Sequence, residues 1–330
     1  MGSWILRNRE KSEAAQTKAF TVKVVFLNFR ECSVLSRDNH VLPGTAFLAI
    51  GFLMVDTWSR LEAREIPAGE WIGEFGDVKV EVGGPTKVCE GFLDAGAKHV
   101  TLVSAIGAQK IEDHLVPDEL GGLALRHLTY KNIVPSCMLA EGKQTGRVII
   151  LYPSGGGRLM VSDSASTPRV SGEYVEESLR AVMREYGRCI IYVDGYTYFN
   201  RESHDVAQSL NIRDRERSHL WVDVLPHTLY RVMDVADLLY QTQTVDLLSM
   251  DLATVEGFAA TAALTVDEAT NLFLEQGTAL AISDEDCLTI VDATGKRYEC
   301  LLLAERHESM STPGARDKRI AAHLSRYFNQ

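Results

Sequence analysis

Asp317 and the glycine-containing turn before it are the residues whose types and spacing best suit chemistry. An apolar run, Leu301–Ala304, precedes the turn and is short enough for a buried strand. The turn formers Ser309, Ser311, Thr312, Pro313 and Gly314 follow, and from Asp317 onward apolar residues recur at the spacing of a helix. We therefore predict the order strand, turn, helix, with the helix beginning at Asp317.

This order brings the unpaired N–H groups of a helix N-terminus and the positive end of its dipole to one point. Such a point favours an anion, for example a phosphate group. Asp317 beside it could act as a general base for a hydroxyl group that attacks the bound anion. The alternative is an ordinary capped helix that follows a strand.

Asp56 is a second candidate for ligand binding. It ends the continuous apolar run Ala46–Val55, which predicts the buried first strand of a parallel sheet. Because ligands of such sheets collect at the carboxyl ends of the strands, Asp56 would lie at the binding crevice. The alternative is an aspartate that merely begins a turn at a strand end.

Two adjacent glycines, Gly83 and Gly84, precede a helix predicted over Glu90–Ala95. Residues without a side chain allow a ligand to approach the backbone closely, and the helix N-terminus would point at that ligand. Lys87 lies between the glycines and the predicted helix. It either adds a positive charge to the ligand-binding site or is an ordinary solvated lysine.

Alternating polar and apolar residues predict a small second group of strands. One is Val78–Val82, and a hairpin is formed by Gly146–Tyr152 and Arg158–Val161 around the glycines at 155–157. No helix follows these glycines, so a hairpin turn explains them better than a phosphate-binding loop. We expect the segments at about 57–82 and 143–165 to form a β-lid over the site.

The rest of the chain alternates between helices and strands, which is typical of a parallel sheet with helices on both faces. His227 follows one strand and is interpreted as structural. The predicted elements are helices at 173–185, 205–210, 246–250 and 266–276, and strands at 100–107, 189–193, 220–224 and 279–282.

Composition limits the class of protein. The chain has 330 residues, of which 45% are hydrophobic, so it can bury a large core. Its net charge of −11 argues against nucleic acid and anionic membranes as partners, since both favour basic surfaces. The six cysteines contain no C-x-x-C pair, which indicates reduced thiols. Because neither a signal peptide nor a membrane-spanning run is recognisable, we expect a cytoplasmic protein, and no metal-ligand pattern is found.

The segment Thr312–Asp317 resembles the T-G-A-G-D signature of the ribokinase/PfkB carbohydrate-kinase family, with Arg316 in place of the second glycine. The resemblance continues in order from Ala46 to the end of the chain, through Asp56, the double glycine, and Thr145-Gly146 with Gly157-Arg158 in the hairpin. It implies an α/β fold: a three-layer α/β/α sandwich with a mainly parallel sheet and a small β-lid. The kinase domain would span 44–330, after an extension of unclear structure at 1–43.

The resemblance also implies a function. The chain would be a kinase that transfers the γ-phosphoryl group of ATP, with Mg²⁺, to a hydroxyl group of a sugar, cyclitol or nucleoside. The lid could also join two copies in a homodimer. The implied roles are the general base for Asp317, the anion hole for the amides of Gly314, Ala315 and Arg316, acceptor binding for Asp56, Gly83, Gly84, Lys87 and Arg158, and nucleotide binding for Thr242 and Ser283.

Three departures keep an alternative open, namely a pseudokinase that uses the fold to bind a ligand or a partner. The side chain of Arg316 either crowds the anion hole or supplies a positive charge to the transferred group. Tyr240–Val245 stand where the family has N-x-x-E after D-L-L, and the acidic run Ser283–Cys287 stands where it has T-x-G-x-x-G. Only Lys318–Gln330 follow the signature, where the family has a further helical segment.

Overall fold

The computed structural model describes residues 33–34, 44–64, 76–163, 168–200, 204–284, 287–302 and 314–328. Within these residues the strands form two sheets, a large one of 11 strands and a second one of four. The strands are β1 (Ser33–Val34), β2 (Thr45–Ile50), β3 (Met54–Leu61), β4 (Lys79–Val82), β5 (Val100–Ile111), β6 (His114–Pro117), β7 (Val134–Glu141), β8 (Gly146–Pro153), β9 (Leu159–Ser162), β10 (Arg188–Asp194), β11 (Ser218–Asp223), β12 (Leu247–Asp251), β13 (Ala279–Asp284), β14 (Cys287–Val291) and β15 (Arg297–Leu301).

The helices connect these strands. They are α1 (Thr86–Asp94), α2 (Glu119–Tyr130), α3 (Gly172–Glu185), α4 (Gly195–Tyr198), α5 (His204–Leu210), α6 (Val235–Gln241), α7 (Leu252–Thr261), α8 (Val266–Glu275) and α9 (Ala315–Tyr327), with a short 3-10 helix at Leu229–Arg231. No helix in the described part of the chain is long and apolar enough to cross a membrane.

The large sheet is parallel at its centre. In spatial order its strands are β1, β15, β14, β13, β12, β11, β10, β2, β5 and β6, and β7 also pairs with β5. The run from β5 through β2, β10, β11 and β12 to β13 is parallel, whereas β14 pairs antiparallel with both of its neighbours. Every residue of β2 is buried, as expected of a central strand with helices on both faces.

Two hydrophobic clusters cover the two faces of the large sheet. One contains side chains of α1, α2 and α9, and the other contains side chains of α3, α5, α6, α7 and α8. The result is a three-layer α/β/α sandwich, so the predicted fold class is confirmed.

The second sheet has the order β4, β3, β8, β9. The pairing of β8 with β9 is antiparallel, which confirms the predicted hairpin, while β3 and β8 run parallel. Asp56 and Trp58 of β3 share one face with Val148 and Ile150 of β8, since paired residues lie on the same face. Trp58, Val148 and Ile150 form a small hydrophobic cluster there.

The prediction of one strand over Ala46–Val55 is wrong. The run forms two strands that belong to different sheets, because the backbone turns between Ile50 and Met54. Ser104 stabilises the turn: its hydroxyl donates to the Gly51 carbonyl at 2.6 Å and accepts from the Leu53 N–H at 3.0 Å. Asp56 consequently lies inside β3 and does not end a strand of the large sheet.

The helix predicted at 246–250 is also wrong, because these residues belong to β12. The short apolar segment is buried between β11 and β13, and periodicity alone does not separate a buried strand from a helix at this length. The helices α2, α4, α6 and α7, the strands β1, β6, β7 and β14, and all but the last residue of β15 were not predicted.

Several boundaries differ from the predicted ones. Helix α1 begins at Thr86 and not at Glu90, and α9 begins at Ala315 and not at Asp317. Strand β15 ends at Leu301, the first residue of the apolar run predicted as a strand, and the last two residues of that run lie outside the described residues. Residues 303–313, which include the predicted turn except Gly314, and most of residues 1–43 lie outside the described residues.

Candidate active site

Three aspartates end neighbouring parallel strands of the large sheet. Asp194 ends β10, Asp223 ends β11 and Asp251 ends β12. Because these strands are parallel, all three residues lie at the same carboxyl edge. Asp194 and Asp251 also begin the next helices, where their carboxylates accept hydrogen bonds from the N–H groups of Thr197 and Thr254, each at 2.7 Å.

Asp317, in the first turn of α9, comes to this same edge. Its negative charge acts on Asp223, whose pKa is raised to about 7 by burial and by Asp317. Asp317 is exposed to solvent, although the surrounding protein raises its pKa, so its carboxyl group lies in an open cleft. The positive charges of His227, Arg316 and Arg158 oppose that increase.

The N-terminus of α9 has the backbone that an anion site needs. Gly314 has a φ of 72°, a left-handed conformation that favours glycine. The first bond of the helix runs from the N–H of Lys318 to the carbonyl of Gly314, at 3.0 Å. The N–H groups of the first turn have no partner within the helix and are directed out of its end.

Gly314 also joins α9 to the first turn of α1. A Cβ atom added to Gly314 would lie 2.5 Å from Cγ of Lys87. The ammonium group of Lys87 is 3.2 Å from a carboxylate oxygen of Glu81 and 3.8 Å from one of Glu90. The structure therefore brings Lys87 to the site, but its charge is already paired with these two carboxylates.

Arg316 follows the anion site directly. Its side chain is partly buried, and its Nε atom is buried without a hydrogen-bond partner among the described residues. The Arg316 charge lowers the pKa of Asp317, which places the guanidinium group on the cleft side of α9. Both predicted consequences of Arg316, crowding and charge, are compatible with this position.

Asp56 packs against the double glycine. A Cβ atom on Gly83 would lie 2.1 Å from the Asp56 carboxylate, and one on Gly84, which has a φ of 61°, would lie 2.0 Å from the Phe52 carbonyl oxygen. Glu81 stands directly opposite Asp56 in the sheet. Burial and the Glu81 charge raise the pKa of Asp56 to about 6, against the opposing charge of Lys87.

Asp194 fixes the backbone directly after β2, where the chain leaves the large sheet. Its carboxylate accepts a hydrogen bond from the Phe52 N–H at 2.9 Å, and a Cβ atom on Gly51 would lie 1.9 Å from one of its oxygens. Burial raises the pKa of Asp194 to about 6. The residue thus connects the turn that leads to Asp56 with the carboxyl edge of the large sheet.

Asp223 ends a buried chain of hydrogen bonds. The indole N–H of Trp221 donates to the Ser249 hydroxyl at 2.6 Å, and that hydroxyl donates to the Asp223 carboxylate at 2.6 Å. The chain holds the carboxyl group in place beside Asp317.

Arg158 lies in the turn of the β8–β9 hairpin and is exposed. Its charge acts on Tyr152, whose pKa is raised by burial, as well as on Tyr196 and Asp317. The hairpin of the second sheet and the N-terminus of α9 therefore face the same cleft.

The two residues predicted to bind the nucleotide, Ser283 and Thr242, lie at opposite edges of the large sheet. Ser283 lies in β13 opposite Asp251, near the carboxyl edge. Thr242 is buried just after α6, where its hydroxyl donates to the Leu238 carbonyl at 2.7 Å. It precedes β12 and so lies at the amino edge of the sheet, away from Asp317.

A repeated triplet in the sequence explains why Thr242 was predicted to bind the nucleotide. The triplet D-L-L occurs twice, at 237–239 and at 246–248, and the first copy belongs to α6. The second copy leads into β12 and on to Asp251, which is the residue at the cleft. Asp194, Asp223 and Asp251 were not assigned to the site, although each comes directly after an apolar run, which is the signal that singled out Asp56.

No group of three or more histidine, cysteine, aspartate or glutamate residues that could hold a metal ion is found among the described residues.

Comparison with family models found no match. Comparison with curated proteins found no match either. Solved structures do match. The chain is 16% identical to the adenosine kinase from Sinorhizobium meliloti, with a TM-score of 0.66 over 86% of this chain and 88% of that chain.

Two further structures give similar values. For the ribokinase from Thermotoga maritima the identity is 15% and the TM-score 0.61, with 82% of each chain covered. For the nucleoside kinase from Methanocaldococcus jannaschii the identity is 16% and the TM-score 0.61, with 86% of this chain and 84% of that chain covered. The chain has the ribokinase fold.

Proposed function

We propose that the protein is a kinase that transfers the γ-phosphoryl group of ATP to a hydroxyl group of a sugar, cyclitol or nucleoside. The observation that carries the proposal is the position of Asp317, in the first turn of a helix opened by the left-handed Gly314, in a cleft at the carboxyl edge of a ribokinase-fold sheet. The solved structures that share this fold include sugar and nucleoside kinases.

In this proposal the acceptor hydroxyl attacks the γ-phosphorus atom, the bond to the leaving ADP oxygen breaks, and Asp317 accepts the hydroxyl proton. The raised pKa of Asp317 makes it a better proton acceptor than an ordinary aspartate. The N–H groups of Gly314, Ala315 and Arg316 form the anion hole for the transferred group.

The remaining predicted residues bind the two substrates. Asp56, beside Gly83 and Gly84, orients the acceptor hydroxyls, together with the Lys87–Glu81 pair and Arg158. The polyphosphate of ATP fits the cations near Asp317, and Ser283 contributes to the nucleotide side. Mg²⁺ would be held mainly by phosphate oxygens and water. It would neutralise charge that develops on the phosphates.

We further propose that the second sheet is a lid on this cleft. The face with Asp56 would cover the acceptor, and the opposite face would join two copies of the chain. Arg158 supports the lid, because the hairpin carries its charge to Asp317.

A panel of sugars, cyclitols and nucleosides tests the kinase proposal, with ADP formation from ATP and Mg²⁺ as the readout. At least one acceptor should accelerate ADP formation, and Asp317→Asn should reduce the rate about 10²- to 10⁴-fold, as expected for loss of a general base. If no acceptor raises ADP formation above the Asp317→Asn rate, the proposal is wrong.

A pseudokinase is the second candidate, and the position of Arg316 at the anion hole favours it. Thermal-shift measurements separate the two, since a ligand that binds only the folded state raises its stability. Stabilisation by ATP with Mg²⁺ supports the kinase, whereas stabilisation by a sugar alone supports the pseudokinase.

A further inference from the structure

His227 lies in the loop after β11 and reaches the end of the neighbouring strand β12. Its Nδ1 atom is 3.3 Å from a carboxylate oxygen of Asp251, the last residue of that strand. The sequence alone suggested a structural histidine, because a lone histidine at a strand end is more often structural than catalytic and no second histidine stands four residues away.

The first turn of α7 holds this loop in two ways. The second oxygen of Asp251 accepts a hydrogen bond from the Thr254 N–H at 2.7 Å, so its carboxylate is fixed. The Thr254 hydroxyl, which is fully buried, donates to the backbone carbonyl of His227 at 2.9 Å. The imidazole is thus held through its Nδ1 atom and its own backbone, which fixes the direction of the ring.

The other nitrogen of the ring, Nε2, remains available. The side chain of His227 is 48% exposed, and Asp251 is the only ion-pair partner of the ring among the described residues. The charge of His227 acts on Asp317, and Arg316 and Arg158 act on the same carboxyl group. His227 is therefore on the cleft side of the loop, opposite the N-terminus of α9.

We propose that His227 binds the donor nucleotide: its Nε2–H group donates a hydrogen bond to a phosphoryl oxygen, while Asp251 and Thr254 position the ring. This inference rests on the proposed kinase function, and its ligand is the polyphosphate of a nucleoside triphosphate. An imidazolium ring with Nδ1–H directed at a carboxylate presents its second N–H as a charge-assisted donor, which suits a phosphate oxygen. Asp251 is a positioning residue and does not itself contact the phosphate.

The substitution His227→Asn is the direct test. The side-chain amide of Asn can still donate to Asp251 from roughly the place of Nδ1, but it has no group at the place of Nε2. We expect a loss of kcat/KM for ATP of roughly 10- to 100-fold, the value of one charge-assisted hydrogen bond, with unchanged melting temperature. Imidazole added to His227→Gly should restore part of the activity, which a purely structural role would not allow. His114→Asn, on the exposed strand β6, is the matched control.

Side-chain NMR of the histidines gives a readout that needs no turnover. The His227 signal is assigned by its loss in His227→Asn, and ATP with Mg²⁺ or inorganic phosphate is then added to the wild-type protein. A shift of that signal with ATP supports the inference even if no acceptor is phosphorylated, in which case the proposed function alone fails. A wild-type enzyme with turnover that His227→Asn leaves unchanged, or a His227 signal that ATP does not shift, overturns the inference.

Discussion

Substitutions of Arg316 best distinguish an active kinase from a pseudokinase. Arg316 replaces a glycine of the family signature and acts electrostatically on Asp317. If its charge contacts the transferred phosphoryl group, Arg316→Gly should reduce turnover by roughly 10³-fold, the effect of losing an arginine finger. Arg316→Lys keeps the charge and should lose less. Steady-state kinetics with ATP and the best acceptor measures both, and unchanged turnover with unchanged ATP affinity in Arg316→Gly would mean that the side chain has no part in the reaction.

Asp223 should make the protein less stable at alkaline pH. Burial and the charge of Asp317 raise its pKa from 3.8 to about 7. Between these values the folded protein holds a proton that the unfolded chain has lost, so the stability from this group decreases as the pH rises through about 7. Asp223→Asn removes the charge but keeps an oxygen that can accept the Ser249 hydroxyl.

We expect Asp223→Asn to increase the free energy of unfolding at pH 8 by on the order of 1 kcal/mol or more, since one pKa unit corresponds to about 1.4 kcal/mol. The increase should be clearly smaller at pH 5. Urea denaturation at the two pH values measures both free energies. Equal increases at the two values would show that the folded protein tolerates an ionised Asp223 without cost.

At the scale of elements, α1 and α9 hold the two halves of the site together. Glu90 of α1 is buried, and its carboxylate is 3.8 Å from Lys87 and His127, 3.5 Å from Lys131 and 4.0 Å from Lys318. Burial would raise the pKa of Glu90, but the nearby His127 ring and the three lysine charges lower it to about 2. The ionised group therefore links α1 and α2 to the residue after Asp317.

The two helices approach closely at Gly91. A Cβ atom there would lie 2.1 Å from the backbone oxygen of Lys318 and 2.7 Å from Cβ of Ala321. Because the nearest atom belongs to the backbone, Gly91→Ala should push α9 away, destabilise the fold by about 1–3 kcal/mol and reduce activity through displacement of Asp317.

Gly122→Ala in α2 is the matched control, since the nearest heavy atom to its Cβ would be Nη1 of Arg126 at 3.5 Å. That change should stabilise the protein by up to about 1 kcal/mol, the helix preference of Ala over Gly. Thermal unfolding and kcat of both variants measure the effects. If Gly91→Ala were as stable as Gly122→Ala, the close packing of α1 on α9 would be wrong.

The same elements show what the sequence could predict. The order of strand and helix around Asp317, the β8–β9 hairpin and the three-layer fold follow from local patterns of apolar residues and glycines. The turn at Gly51 could not be predicted, because the hydroxyl that stabilises it belongs to the distant Ser104. The residues on the nucleotide side of the site could not be predicted either. Either D-L-L triplet could be the one before the family's N-x-x-E motif, and only the sheet order shows that the second leads to Asp251 at the cleft.

At the scale of the whole molecule, the two faces of the second sheet have different chemistry. Asp56 and the buried Trp58 lie on one face. On the other face, Val80, Ile149 and Val161 form a row across β4, β8 and β9, with Thr57 of β3 within it. These three apolar side chains are 54%, 48% and 55% exposed. An apolar row on a sheet face is typical of an interaction surface, and the proposed homodimer through the lid would cover it.

We therefore expect the wild-type protein to form a dimer at micromolar concentration, and Ile149→Glu to be a monomer. A carboxylate at the centre of the row would meet its symmetry-related copy or apolar side chains in a two-fold interface, and burying an unpaired charge is costly. Val232→Glu is the control, because Val232 is 72% exposed and lies outside the second sheet. Sedimentation equilibrium of the three proteins, with circular dichroism to confirm folding, gives the result. A monomeric wild type, or an Ile149→Glu variant that dimerises as tightly as Val232→Glu, would exclude this face of the lid as the dimer interface.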